Sequence, residues 1–167
     1  MLDCAFPLAC RMSGAPLRSE ALPPLARRLG YAGLLPQAAA LVVVLRGDPA
    51  WHFAALVLGF AYAALILSFL GGLWWGLAAQ ARAPVPSWVW VAAVAPSLVA
   101  LVSTIPWLLA DARPGASLGL LAVALLASLI VDYTMAAAAL APVWWLRLRL
   151  PLSIGLGLLT LVLALVA

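Results

Sequence analysis

The sequence predicts an all-α integral membrane protein with five transmembrane helices, its N-terminus inside and its C-terminus outside. Three observations carry this expectation. Of the 167 residues, 68% are hydrophobic and 8% charged, whereas a soluble domain carries about 25% charge. Apolar runs of a length suited to a ~30 Å hydrocarbon core recur along the chain, punctuated by clusters of Pro, Gly, Asp and Arg. The nine basic residues, all Arg, fall unevenly between alternate loops.

The chain opens with residues 1 to 22, which hold two Cys, two Pro, Arg11, Arg18, Asp3 and Glu20 without helical periodicity and read as a flexible cytosolic leader. Residues 23 to 167 form the five-helix domain. Pro23-Pro24 opens a helix whose uncharged part, about residues 29 to 45, makes the first span. Asp48-Pro49 is a good helix start, because an Asp side chain caps free backbone N–H groups and Pro fits the first turn. The run from Pro49 to Ala81 then contains no charge. At ~20 residues per span it is too long for one upright helix and too short for two, so one tilted or bent helix is expected over about 50 to 80.

Arg82 ends that run, and Pro84, Pro86 and Ser87 introduce a third span over 87 to 109 with Pro96 and Pro106 inside it. Each internal Pro removes a helical hydrogen bond and frees a carbonyl, so a kink covered by protein is expected there. Asp111, Arg113, Pro114 and Gly115 make a loop, and the fourth span, 116 to 140, is interrupted only by Asp132. The stretch after Pro142, with Trp144, Trp145, Arg147 and Arg149, reads as an interfacial link before a fifth span over 150 to 167. Five spans put Arg11, Arg18, Arg27, Arg28, Arg82, Arg147 and Arg149 on one side, against Arg46 and Arg113 on the other. The positive-inside rule makes the richer side cytoplasmic, and the inner (cytoplasmic) membrane is the expected location.

A sequence pI near 9.8 would suggest nucleic acid in a soluble protein, but here the arginines are scattered between apolar runs and no nucleic-acid partner is expected. Cys4 and Cys10 both precede the first span and support neither a disulfide framework nor a zinc site. Leu8-Ala9-Cys10 lacks the basic and apolar segments that a lipoprotein signal needs upstream.

Three stretches together carry a family resemblance: LGYAGLLP at 29 to 36, YAALILSFLGGLWWG at 62 to 76 and VWWLRLRLPLS at 143 to 153. In their order and spacing they resemble the transmembrane protein 69 family, also known as domain of unknown function 3429, over roughly residues 25 to 167. The resemblance implies a small multi-span membrane protein and brings no activity with it. A likeness to the tryptophan-rich sensory protein and translocator protein family rests on five spans, similar length and eight Trp, without that family's motifs in order.

Asp132 is the sharpest chemical signal. It lies about eight residues before the expected end of its span, ~12 Å inside at ~1.5 Å per residue. An Asp at a helix centre costs about 2.5–3.5 kcal/mol on insertion scales, so it should face the bundle and find a partner. Arg147, Arg149 and the hydroxyls of Tyr31, Tyr62 and Ser68 are its candidates. The candidate intramembrane polar site is therefore Asp132, Tyr31, Tyr62, Ser68 and Gln80; a clamp between helices is the first reading and proton or ligand handling the second.

Ser68, Gly72 and Gly76 recur every four residues, a small-residue face suited to close helix packing, and Gln80 continues the stripe. Gly71-Gly72 could alternatively mark a bend. Arg147, Arg149, Trp144 and Trp145 form the expected interfacial basic and aromatic group; Trp88, Trp90, Trp51 and Trp107 read as belts, and Trp74 and Trp75 as packing residues. His52 is the lone histidine, with Asp48 its nearby acid, so no metal and no cofactor is expected. No nucleophile and base constellation, phosphate loop or HExxH motif occurs, and an enzyme is not expected. The expectation is a non-catalytic accessory, assembly or interaction module, in contact with the lipid bilayer and with a membrane-protein partner or a second copy. The alternative is a small-molecule or proton-coupled carrier with a polar cavity around Asp132.

Overall fold

The computed structural model describes residues 22–82, 84–109 and 114–167. The leader expected over residues 1 to 22, with Cys4 and Cys10, lies outside the described residues but for Leu22, as do Asp111 and Arg113 of the expected loop. Seven helices follow one another: α1 (Pro24–Ala32), α2 (Leu35–Arg46), α3 (Pro49–Ala79), α4 (Ser87–Val102), α5 (Ile105–Leu109), α6 (Gly115–Ala137) and α7 (Trp145–Val166). There is no strand among the described residues. Since α1 continues into α2 and α4 into α5, they make five segments long and apolar enough to cross a membrane.

Proline chemistry explains both interrupted segments. Pro36 has no N–H and its ring displaces the carbonyl four residues earlier, that of Ala32, where α1 ends. The chain tightens into a turn, with Gly33 N donating to Gly30 O at 3.0 Å and Leu34 N to Tyr31 O at 3.0 Å. The Tyr62 hydroxyl of α3 donates to the Gly33 carbonyl and so holds the break against the bundle. Pro106 likewise displaces the carbonyl of Val102, the last residue of α4. Two hydroxyls take up neighbouring carbonyls: Ser103 Oγ donates to Ala100 O at 2.6 Å and Thr104 Oγ1 to Leu101 O at 2.7 Å. Pro96, by contrast, stays within α4, buried.

Gly47 closes α2 in the left-handed region at φ 69°, where a side chain would be strained. The next residue, Asp48, caps α3 by accepting from Ala50 N at 2.9 Å, so two residues suffice to reverse the chain. α3 has 31 residues, ~46 Å of helix against a ~30 Å hydrocarbon core. It is the hub of the bundle, touching α2, α4, α6 and α7, while α6 and α7 form the most extensive pair. Gly71 lets α4 come close: a Cβ there would collide with the Ala93 carbonyl. Leu67, Leu118, Leu121, Leu125, Met135 and Leu163 fill the interior, while Leu65, Val91, Leu101, Val123, Ile130 and Leu165 face outward. Such an apolar exterior suits hydrocarbon as solvent.

Two boundaries differ from the sequence reading, and they matter for the site. α6 ends at Ala137 rather than Leu140, because Ala139 turns left-handed at φ 55° and closes a Schellman-type end: Leu140 N donates to Met135 O at 3.0 Å and Ala139 N to Ala136 O at 3.1 Å. α7 starts at Trp145 rather than about Leu150, so Trp145, Arg147 and Arg149 are helical rather than part of a link.

Candidate functional site

Near the shared end of α3, α6 and α7, one carboxylate gathers donors from three helices. Asp132 on α6 is fully buried. Its Oδ1 accepts from Trp74 Nε1 of α3 at 2.9 Å and from Trp145 Nε1 of α7 at 2.9 Å. Its Oδ2 accepts from Arg149 Nε of α7 at 2.8 Å, an ion pair whose side chains are 0% and 8% exposed. Arg149 Nη2 reaches Ser128 Oγ at 3.4 Å, and Ser128 Oγ donates to Leu125 O at 2.6 Å.

The local sequence makes this convergence possible. Ser128 and Asp132 lie four apart on α6, and Trp145 and Arg149 four apart on α7, so each pair shares one helix face. A buried Arg in this apolar setting is acceptable because its charge is matched by Asp132, with Nε and Nη2 each directed at an acceptor. The hydrogen-bond partners of Asp132 among the described residues are all N–H donors, the shell a carboxylate needs out of water. Asp132 sits five residues inside the end of α6, ~7.5 Å in. That is shallower than the ~12 Å expected from the sequence, because α6 stops earlier.

The five residues of the expected polar site do not converge. Tyr62 serves the Gly33 carbonyl, Ser68 pairs with Ser97 Oγ at 2.9 Å across α3 and α4, Tyr31 is exposed and Gln80 lies at the exposed end of α3. Among the candidate partners, Arg149 meets Asp132, while Arg147 points outward. The interfacial group thus divides by helix face: Trp145 and Arg149 turn inward, Trp144 and Arg147 do not. Trp74, read as a packing residue, is a donor to the carboxylate; Trp75 stacks edge-on against Trp90 at 4.9 Å. Within the chain, close packing on α3 is carried by Gly71 against the Ala93 carbonyl and by Gly59 against Leu163, and a Cβ on Gly72 or Gly76 would meet nothing within 4 Å among the described residues.

A second polar link escaped the sequence reading. Gln37 of α2, fully buried, donates from Nε2 to Thr160 Oγ1 of α7 at 3.1 Å, and Thr160 donates to Leu156 O at 2.8 Å. An amide in an otherwise uncharged, apolar span was its available signal. His52 belongs to no group of three His, Cys, Asp or Glu residues able to hold a metal among the described residues.

Two cavities flank the ion pair. The larger, about 380 Å³, lies between the α1 end, α3 and α7 and is lined by Trp145, Arg149 and Ser153 among apolar side chains. The smaller, about 230 Å³, lies between α3, α4 and α6 and includes Trp74 and Ser128. A third, about 530 Å³, sits outside the bundle end beside Gln80, Arg82 and Trp144.

No curated protein and no solved structure matches this chain. A family model does, from Leu22 to Val166, which covers every helix and every residue of the ion-pair cluster. The chain belongs to the family described as "Protein of unknown function (DUF3429)".

Proposed function

We propose that this chain is a non-catalytic accessory or assembly module of the inner (cytoplasmic) membrane, of the transmembrane protein 69 type, with its N-terminus in the cytoplasm and its C-terminus outside. The observation that carries the reading is the Asp132 cluster. Its acid and its buried base satisfy one another and two indoles across three helices, an arrangement that stiffens a scaffold and engages the charges a reaction would use. Gly72 and Gly76 support the interaction role, since a Cβ on either would meet nothing within 4 Å among the described residues, which leaves small residues open on α3. A neighbouring helix, from a membrane-protein partner or a second copy, fits such a face. Native mass spectrometry after gentle extraction tests the proposal: a second chain at fixed stoichiometry, lost on Gly72→Leu, is expected, and a chain that is always bare would overturn it.

A second reading is a binding protein or carrier, favoured by the cavity of about 380 Å³ that touches the ion pair through Arg149. It predicts that Asp132→Asn abolishes binding or uptake per folded molecule; unchanged activity per folded molecule would sink it.

A further inference from the structure

The cavity between α1, α3 and α7 is lined mostly by apolar side chains, with Arg149 and Ser153 of α7 among them. Ser153 is 3% exposed, lines the cavity, and its hydroxyl has no hydrogen-bond partner among the described residues. Arg149 lies one helical turn before it and lines the same space. Its Nε is engaged by Asp132 and its Nη2 weakly by Ser128, while Nη1 has no acceptor among the described residues. Buried polar groups are ordinarily hydrogen-bonded, so the unpartnered Ser153 hydroxyl, with Arg149 lining the same cavity beside it, marks the place of an acceptor.

Charge decides what kind of acceptor. Arg149 is already neutralised by Asp132 at 2.8 Å. A bound carboxylate or phosphate would add an uncompensated negative charge beside Asp132 in a low-dielectric interior, whereas a neutral oxygen would take the free N–H and O–H without that cost. Size narrows the choice further: about 380 Å³ lies near the lower end of the ~300–1,000 Å³ usual for small-molecule sites and suits one chain or one ring system. The walls formed by Leu70, Leu73 and Leu152 supply the apolar contact. Access is at the membrane-facing side, where Leu29 of α1 lines the cavity and is 63% exposed.

We propose that this cavity is a binding site for a neutral, apolar membrane molecule bearing a carbonyl oxygen, which accepts hydrogen bonds from Arg149 Nη1 and Ser153 Oγ. The inference deepens the binding reading above. Two sources offer that chemistry, the ring carbonyl of a quinone and the ester carbonyl of a single-chain lipid, and the probes are chosen to separate them.

The test is equilibrium binding to the full chain in lipid nanodiscs with four probes: decyl-benzoquinone, methyl laurate, laurate and dodecane. Decyl-benzoquinone or methyl laurate should bind saturably, the tighter of the two naming the source. Dodecane, without an acceptor, and laurate, an anion at neutral pH, should bind at least tenfold more weakly. Ser153→Ala removes one donor and little volume, and should weaken the carbonyl probes about three- to tenfold while leaving dodecane unchanged. Leu29→Trp adds bulk at an exposed position of the cavity wall and should abolish binding of both carbonyl probes with the fold intact. Preference for laurate, or equal binding of dodecane, would overturn the carbonyl assignment while leaving a binding protein standing. Saturable carbonyl binding that Ser153→Ala does not change would remove the assigned site. Binding of none of the four would overturn the inference, and with unchanged uptake in Asp132→Asn the binding reading would fall too.

Discussion

The two oxygens of Asp132 divide their donors unequally, both indoles on Oδ1 and the guanidinium on Oδ2, so the members of the cluster contribute separably. Removing one partner of a buried ion pair typically costs about 3–5 kcal/mol, because the other charge is left unmatched. Arg149→Met should therefore be strongly destabilising, and Asp132→Asn nearly so although Asn still accepts from both indoles. The double variant should be much less unstable than the sum of the two, with a coupling near the top of the ~0.5–3 kcal/mol range found for interacting neighbours. Denaturant titration in mixed micelles measures this, and additivity would mean that the pair contributes nothing as a pair. Trp74→Phe keeps an aromatic ring but removes a donor to a charged acceptor and part of a buried indole, a loss of at least about 1.5–3 kcal/mol, whereas the half-exposed Trp75→Phe should change stability little. At this scale Asp132 was legible because a charge inside an apolar run demands an explanation, and Arg149 because it was the right sign nearby. Trp74 and Trp145 were not, since an indole among apolar residues looks the same in sequence whether its N–H is matched or not.

Helix ends and faces decide which of these residues meet. Had α7 begun near Leu150, Trp145 and Arg149 would have been interfacial; its start at Trp145 winds them four apart onto the face that meets α6. A heavily apolar sequence hides that register, because periodicity separates faces only where polar residues alternate with apolar ones. The same difficulty hides which glycine packs: Gly71 and Gly72 are adjacent, yet a Cβ on Gly71 collides with the Ala93 carbonyl and one on Gly72 meets open space. Gly71→Leu should force α3 and α4 apart and cost several kcal/mol in the isolated chain, while Gly72→Leu should leave its thermal stability unchanged. If both variants behave alike, the close approach of α3 to α4 is not where Gly71 puts it. Turn chemistry was more legible, since Asp48-Pro49 announces the start of α3 and Pro106 lies just past the break it causes, whereas the break before Pro36 falls inside a span read as continuous. The end of α6 was not, because its left-handed position is held by Ala139 instead of the usual Gly. Ala139→Gly should relieve that strain and stabilise the chain by about 1 kcal/mol, read as a raised unfolding midpoint.

Across the whole molecule the ion pair alters the charge balance that sets orientation. The end of the bundle that carries the cluster displays Arg27, Arg28, Arg82 and Arg147, all exposed, while Arg149 is buried against Asp132; the opposite end shows Arg46 beside Asp48. Orientation follows the Lys and Arg excess in short loops near the span ends, and in the proposed five-span topology the two termini lie on opposite sides. The five long apolar helices were legible in the sequence because helix length and overall apolarity do not depend on which side chains meet inside. The proposed orientation predicts that alkaline phosphatase fused after Ala167 is active and a fluorescent protein fused there is dark. Replacing Arg27, Arg28 and Arg82 together by Gln should then produce a mixed population, with phosphatase activity falling and fluorescence appearing. Arg149→Met should leave the ratio of the two reporters unchanged even where it lowers stability, because the charge it removes is already paired inside the bundle. A dark phosphatase fusion on the wild-type chain would invert the molecule, placing the Asp132 cluster and the mouth of its cavity in the outer leaflet.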